Sequence, residues 1–344
     1  MASNELLPYL SGRSLSGGAF YALSKFFKPK IRKAVSTTKQ ITSHILMVRP
    51  ANFGYNEQTA VNNAFQVQDA SLSPQEISQK AVEEFDTFVL RLRGKGVDVI
   101  VVDDTPGPAK PDAVFPNNWA TFHEDGRVVT YPMNAPLRRL ERREDILQLL
   151  AERFLITDHL RFEHHEEMEL FLEGTGSLIL DRPNRLAYAC LSPRTDEGLL
   201  DEFCQALGYQ KVAFAAVDAQ GREIYHTNVM MALGQDFVVI CLESVPCLGS
   251  RKRLLQHFAD TGKDVIEISL PQMMAFAGNM LQVLSQDGNT YLAMSEQAYH
   301  ALTDEQIQHI HRYTHILYSP LYTIEKYGGG SARCMMAEVF LPER

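Results

Sequence analysis

Five polar residues recur along this chain at nearly equal intervals, and three of them are the types needed to attack a resistant carbon. Asn118, Glu173, His226, Asn279 and Cys334 are spaced by 55, 53, 53 and 55 residues. Attack on a urea or guanidine carbon needs a thiolate, a proton donor for the departing nitrogen, and a carboxylate that holds the donor or the substrate N–H groups. The even spacing singles out Cys334, His226 and Glu173 from the 11 histidines and 42 acidic residues of the chain.

Cys334 follows three consecutive glycines in "GGGSARCMMAEVF". A cysteine beside an apolar run is most simply a buried core residue. Glycines, however, occur where the backbone bends sharply or approaches another group closely, and such a run is unusual before a core strand. The context therefore favours a thiol that faces a pocket.

The elements around these residues also repeat. Five helix-like segments are each followed by a short strand-like run and then by a second run with a polar or Gly-rich start. The second runs are "FPNNWATF", "LEGTGSLILD", "YHTNVMMAL", "AGNMLQVL" and "GGGSARCMMAEVF". Regular spacing favours a closed ring of five packed units over two domains, and the polar strand starts would then converge near one axis.

Composition narrows the class of protein. A net charge of -9 gives no support for nucleic-acid binding, and no apolar stretch approaches the roughly 20 residues that span a bilayer. Five cysteines without tight spacing argue against a disulfide framework and indicate a reducing compartment, so we expect a cytoplasmic protein.

Residues 1–43 are expected to form a basic N-terminal extension. Its first 40 residues hold seven Lys or Arg against Glu5 alone. Two interpretations stay open: a partly disordered tail, or a short amphipathic helix, interrupted by Pro29, with a weak membrane or targeting role.

The remaining residues, 44–344, resemble the pentein superfamily, which includes arginine deiminases, dimethylarginine hydrolases, agmatine deiminases and amidinotransferases. "DAVFPNNW" is similar to the F-x-R-D strand of these enzymes, "LEGTGSL" to their E-G-G-D turn, "LSPRT" to an S-x-R-T segment, "YHTN" to H-x-D, and "GGGSARCM" to the cysteine loop. The resemblance implies an α/β fold, a five-bladed propeller of ββαβ repeats, in a single catalytic domain.

The resemblance also implies roles for individual residues. Cys334 would be the nucleophile, His226 the general acid/base, and Glu173 the group that orients His226. Arg194 would clamp the α-carboxylate of an amino-acid substrate, and the alternative is a solvated arginine at a helix start. Asn279 matches no catalytic role and is interpreted as a turn or strand-cap residue.

Two departures from the family pattern concern substrate charge. Asn118 and Asn228 stand where guanidine-modifying members carry aspartates. A buried guanidinium needs facing carboxylates, whereas an asparagine offers both a donor and an acceptor to a neutral ureido group. The sequence is therefore similar to the citrulline hydrolase (ureidase) branch, to which "MVRPANFGYN" and "NNAFQ" are also similar.

The leading hypothesis is hydrolysis of citrulline to ornithine, carbon dioxide and ammonia through a carbamoyl thioester on Cys334. His226 as imidazolium would protonate the leaving nitrogen. No metal and no organic cofactor are implied, the partner is a small amino-acid substrate, and a homo-oligomer stays open. The alternatives are a guanidine hydrolase, an amidinotransferase, and a catalytically silent pentein that binds an amino acid.

Overall fold

Three-stranded sheets of one topology form the framework of the protein. A computed structural model describes residues 38–69 and 71–344, and within them the strands group into five such sheets. The strands are β1 His44–Arg49, β2 Asp98–Asp103, β3 Ala120–Phe122, β4 Arg127–Thr130, β5 Asp158–Arg161, β6 Ile179–Asp181, β7 Leu186–Cys190, β8 Gln210–Phe214, β9 Met231–Leu233, β10 Phe237–Ile240, β11 Asp264–Glu267, β12 Leu281–Leu284, β13 Thr290–Ser295, β14 His315–Ser319 and β15 Ala337–Glu338.

The helices connect strands within one sheet or lead from one sheet to the next. They are α1 Glu57–Ala60, α2 Pro74–Gly94, α3 Pro136–Arg139, α4 Glu144–Arg153, α5 Gly174–Ser177, α6 Glu197–Leu207, α7 Thr227–Met230, α8 Leu248–Asp260, α9 Leu270–Met274, α10 Glu296–Ala301, α11 Asp304–Ile310 and α12 Tyr322–Gly328. Short 3-10 helices lie at Pro116–Asn118, Glu163–Met168 and Leu242–Ser244.

Each sheet has a central strand that pairs antiparallel with one neighbour and parallel with the other. In the second sheet, β4 pairs antiparallel with β3 and parallel with β5, and the chain crosses from β4 to β5 through α3 and α4. A parallel pair requires such a crossover, because its two strands run in the same direction. In the first sheet the antiparallel partner of β1 is β15, so the C-terminal strand completes the N-terminal sheet.

The antiparallel outer strands bring the polar residues of the repeat together. β6 contacts β9, β9 contacts β12, and β15 contacts β3. The turns that precede these strands also meet, since α5 contacts both the 3-10 helix at Pro116–Asn118 and α7. The five repeat residues lie in these turns, two to six residues before the strands, rather than at the strand starts that the sequence suggested.

All five predicted helical segments are helical, but two of them are interrupted. The segment "NAPLRRLERREDILQLLAERF" forms α3 and α4, and the first of these carries the buried Arg138 inward. The segment "SEQAYHALTDEQIQHIHRYT" divides at Thr303, whose side chain caps α11 and forms a capping box with Gln306. A capping box starts a new helix, and this one is visible in the sequence as T-x-x-Q.

The predicted N-terminal extension, residues 1–43, falls almost wholly outside the described residues. Of the part that is described, Gln40, Ile41 and Thr42 are buried. The Gln40 amide donates to the Leu180 carbonyl at 2.9 Å, and the Thr42 hydroxyl donates to the Val339 carbonyl at 2.9 Å. Within the described chain, no helix has the length and apolar character needed to span a membrane.

Candidate active site

Cys334, His226 and Glu173 lie together in one small buried cavity or directly against it. His226 and Cys334 both line this cavity and are only 1% and 3% exposed. His226 Nε2 lies 2.8 Å from Glu173 Oε2, and Glu173 is fully buried. The three residues that the repeat spacing selects from sequence are therefore neighbours, although they come from three different sheets.

Local backbone geometry explains how Glu173 and His226 come to face each other. Each is the residue just before a four-residue helix, α5 or α7, and neither side chain caps its own helix. Both side chains are thus free to project into the site. Gly174 has φ +47, and a Cβ on Gly176 would lie 2.4 Å from Asn118 Nδ2 and 2.6 Å from His226 Nδ1. Only glycine allows this approach.

The charges around Glu173 set the protonation of the pair. Burial alone would raise the pKa of Glu173, but Arg194 and the hydrogen bond from His226 outweigh it and lower that pKa to about 2. Burial lowers the pKa of His226 to about 4, despite the opposing effect of Glu173. At neutral pH the ring is therefore uncharged, with Nε2–H donating to the carboxylate and Nδ1 unprotonated. An imidazolium at His226, as expected for the step that protonates the leaving nitrogen, would therefore have to form during the reaction.

The activity should follow these protonation states. Because protonation of His226 removes the base, we expect kcat/KM to fall as the pH drops toward about 4, with no titration near the ordinary histidine value of 6.5. A pH profile of kcat/KM measures this directly. An acid limb centred near 6.5 would show that His226 is not held neutral by burial.

Two asparagine side chains donate to the sulfur of Cys334. Asn228 Nδ2 lies 3.4 Å and Asn279 Nδ2 3.3 Å from Sγ. Asn279 also accepts from the backbone N–H of Arg333 at 3.0 Å, which ties it to the cysteine turn. Asn279 therefore bonds backbone groups, as a turn or cap residue does, and its amide also reaches the sulfur of Cys334, where it can stabilise negative charge.

Asn118 and Asn228 each keep one polar atom without a hydrogen-bond partner among the described residues. Asn118 Oδ1 accepts from Arg138 Nη1 at 2.8 Å, which fixes the orientation of the amide and leaves Nδ2 unpaired. Asn228 Oδ1 is likewise unpaired. Both residues are buried, so the two asparagines together hold one unused donor and one unused acceptor.

Arg194 lines the same cavity and is 2% exposed, which excludes the alternative of a solvated arginine. Its guanidinium donates to the side chain of Asn62 and to the Thr59 carbonyl at 2.8 Å, and it lies over the ring of Tyr225 at 4.9 Å. Its Nη1 is 3.6 Å from Glu173 Oε2.

Sequence reasoning missed Asp112 and Arg138, which also line the cavity. Asp112 Oδ2 accepts from Asn56 at 2.7 Å and from Thr59 at 3.2 Å, while Oδ1 has no partner among the described residues. Arg138 is paired with Glu141 at 2.9 Å. The available signal for Asp112 was its place in "DAVFPNNW", three residues before Phe115. Arg138 lies on a crossover helix and does not fall at the 53- to 55-residue spacing of the repeat residues.

The three glycines before Cys334 allow close backbone packing at the cavity wall. A Cβ on Gly328 or Gly330 would lie 2.9 or 2.8 Å from the ring of Phe115. Gly329 has φ +63, and a Cβ there would be 2.5 Å from Asn63 Nδ2. These contacts support the expectation of close approach that the glycine run raised.

Substitution of Gly176 should damage the site without replacing a reactive group. We expect Gly176→Ala to lower kcat at least about ten-fold, because the added methyl overlaps Asn118 and His226, and small displacements of reacting groups are costly. Gly249→Ala is the matched control, since its Cβ meets only Cys247 Sγ at an ordinary 3.7 Å. Equal rates for the two variants would mean that the site tolerates displacement of the histidine.

The structural comparisons agree on the fold. The N-terminal domain of ArgZ, an arginine dihydrolase from the ornithine–ammonia cycle in cyanobacteria, superposes with a TM-score of 0.68 at 18% identity; the match covers 87% of this chain and 98% of that domain. The present chain covers 41% of the longer ArgZ chain in its apo structure. Unliganded AgrE matches with a TM-score of 0.67 at 19% identity, covering 88% of this chain and 40% of AgrE.

A dimethylarginine dimethylaminohydrolase, solved as an adduct with S-methyl-L-thiocitrulline, matches with a TM-score of 0.59 at 15% identity, covering 86% of this chain and 98% of that one. No curated protein sequence matches the chain. A family model described as N,N dimethylarginine dimethylhydrolase, eukaryotic, matches residues 49–341. Because that match spans most of the sequence, the chain belongs to this family and, with it, to the pentein superfamily.

Proposed function

We propose that the protein is a cysteine-dependent hydrolase of a ureido C–N bond and that citrulline is its substrate. The observation that carries the proposal is the pair of unused amide atoms, Asn118 Nδ2 and Asn228 Oδ1. A ureido group presents one carbonyl acceptor and N–H donors, which match one donor and one acceptor. A guanidinium has no acceptor and would leave the Asn118 donor unpaired.

Charged groups in the cavity suit the other end of an amino acid. Asp112 Oδ1 is buried and unpaired among the described residues, so it can accept from an α-ammonium group. Arg194 offers a planar guanidinium for the α-carboxylate. The two residues line one cavity with Cys334, which supports a substrate whose zwitterionic end and reacting end both lie inside the protein.

The proposed mechanism begins from a neutral His226. His226 Nδ1 takes the thiol proton of Cys334, and the thiolate, held by Asn228 and Asn279, attacks the ureido carbon. The resulting imidazolium, stabilised by Glu173, returns the proton to the δ-nitrogen, which leaves as the amine of ornithine. Cys334 then carries a carbamoyl thioester.

The second half of the reaction uses water. Neutral His226 removes a proton from a water molecule that attacks the thioester carbonyl, and the thiol leaves with that proton. The carbamate released breaks down to carbon dioxide and ammonia. In total one citrulline and one water give ornithine, carbon dioxide and ammonia, and no external oxidant or cofactor takes part.

A guanidine hydrolase is the second candidate. ArgZ is named an arginine dihydrolase, and a cysteine-to-serine mutant of its N-terminal domain was solved bound to substrate. Several buried acidic groups near the cavity, including Glu173 and Asp112, would also tolerate a cation.

We further propose that residues 44–344 act as one catalytic domain, a five-bladed propeller, in the cytoplasm.

The decisive experiment is a substrate panel scored for ammonia release, with citrulline and arginine compared side by side. The proposal requires citrulline to be hydrolysed to ornithine with a higher kcat/KM than arginine. Preference for arginine would establish the guanidine hydrolase instead. If neither substrate turns over, alkylation of Cys334 at neutral pH separates a reactive thiolate from the inert thiol of a silent binding protein.

Arg194 should contribute more to binding than to chemistry. We expect Arg194→Ala to raise KM for citrulline at least about ten-fold, with a smaller loss in kcat that reflects its contact with Glu173. Arg194→Lys keeps the charge but loses the bidentate geometry, so its KM should lie between those of the parent and the alanine variant. An unchanged KM in the alanine variant would return Arg194 to a purely structural role.

A further inference from the structure

Two adjacent histidines and a glutamate form a cluster away from the active-site cavity. His164 and His165 lie on the 3-10 helix Glu163–Met168, and Glu202 lies on α6. One ligand atom from each side chain lies within 4.8 Å of the other two. We propose that these three side chains bind a divalent transition metal of the Zn²⁺ type.

Hydrogen bonding prepares His164 as a ligand. Its Nδ1 lies 3.0 Å from the Arg161 carbonyl, an acceptor that fixes the tautomer with the proton on Nδ1. Nε2 then carries the lone pair. A ring N–H held by a backbone carbonyl is the usual second partner of a metal-binding histidine, because it orients the ring and makes the other nitrogen a better ligand.

His165 is buried, and its ring nitrogens lack hydrogen-bond partners among the described residues. The residue is 8% exposed, and neither ring nitrogen makes a hydrogen bond of acceptable geometry. Nε2 nevertheless lies 3.0 Å from Glu202 Oε2, and its ring centre is 4.0 Å from that of His164. Buried polar atoms normally have partners, and an ion shared by His164, His165 and Glu202 would give one ring nitrogen of His165 a partner and account for the two imidazoles and the carboxylate being held together.

The donor set indicates the kind of metal. Two imidazoles and one carboxylate match Zn²⁺ sites that leave a fourth position to water, whereas Mg²⁺ and Ca²⁺ take oxygen ligands. Bonds of about 2.1 Å at tetrahedral angles place donors about 3.4 Å apart. His164 and Glu202 are exposed at the surface and can move the short distance required. His164 also lines an open surface cavity of about 400 Å³, together with Glu163, Glu166, Glu167, Arg139 and Arg161.

A metal in this cluster would join two segments that carry residues of the active site. The 3-10 helix leads into Glu173, and α6 follows directly after Arg194. These two stretches are already joined at a bridge between Leu172 and Thr195 and by Glu173 N–H donating to the Arg194 carbonyl at 3.3 Å. A metal between His164, His165 and Glu202 would add a further tie between the segments that carry Glu173 and Arg194.

Cobalt titration of the full-length chain tests the site. Co²⁺ is added to chelator-treated Cys334→Ala protein, which removes the active-site thiol as a competing ligand. We expect one Co²⁺ per chain, with visible d–d absorption and no thiolate charge-transfer band. His164→Ala and Glu202→Gln, both at exposed positions, should weaken binding at least about ten-fold, whereas His311→Ala, an exposed histidine on another unit, should not.

Thermal unfolding provides a second readout that does not depend on activity. Zn²⁺ should raise the Tm of the parent and of His311→Ala, but not that of His164→Ala or Glu202→Gln, because a ligand that binds only the folded state stabilises it. Equal affinities and equal Tm shifts in all variants would overturn the proposal, as would the absence of stoichiometric binding.

Discussion

Cys334→Ala and His226→Ala should each lower the rate of citrulline hydrolysis by at least about three orders of magnitude. In the mechanism that we propose, the first removes the atom that bonds to the ureido carbon, and the second removes the group that moves the proton in both half-reactions. Because the thiol and the imidazole act as a unit, the double variant should be scarcely slower than either single one. Steady-state ornithine formation is the measurement.

The fold must survive for these losses to be informative. Cys334 and His226 are buried, so each variant should be compared with the parent in thermal unfolding and in citrulline binding. Cys334→Ser is the conservative control, since it keeps the size of the side chain and loses the nucleophilic sulfur. Substantial turnover by Cys334→Ala in a correctly folded sample would refute the thioester mechanism.

Repeat spacing predicted that Glu173 and His226 converge, and the resemblance to the pentein superfamily implied that Glu173 orients His226. Equivalent positions of packed repeats meet near the common axis, and the neighbouring turns at α5 and α7 do meet. Spacing could not predict what Asn279 does, because its role depends on a side-chain direction: the amide turns toward Sγ of Cys334 and not toward the solvent.

Other residues of the site do not follow the regular spacing of the repeat. Asp112 comes from the loop before the 3-10 helix at Pro116–Asn118, and Arg138 comes from the short helix α3. In sequence, "LRRLERR" is typical of a solvated basic helix face. Arg138 is buried instead, because Glu141, Asn118 and the Phe115 carbonyl together satisfy its guanidinium. Such compensation depends on three-dimensional partners that no local pattern reveals.

Replacing the asparagines that we propose to set substrate charge should give the second large effect on activity. The contacts of Asn118 and Asn228 indicate that the two substitutions will differ in size. Asn118→Asp would place its carboxylate beside Arg138 Nη1, now 2.8 Å from Asn118 Oδ1, so the new charge would be paired. Asn228→Asp would replace a donor 3.4 Å from Cys334 Sγ by a negative group that opposes thiolate formation. We therefore expect Asn228→Asp to lower kcat for citrulline at least about 100-fold and Asn118→Asp to have a smaller effect.

The double variant Asn118→Asp with Asn228→Asp should also change selectivity. Two carboxylates favour a guanidinium over a neutral ureido group, because Asn118→Asp loses the donor that the ureido carbonyl uses and both carboxylates attract a cation. The ratio of citrulline to arginine affinity, measured in a Cys334→Ala background at one pH, should fall at least about ten-fold relative to that background alone. An unchanged ratio would mean that Asn118 and Asn228 do not set substrate charge, and the choice of citrulline would then rest on resemblance only.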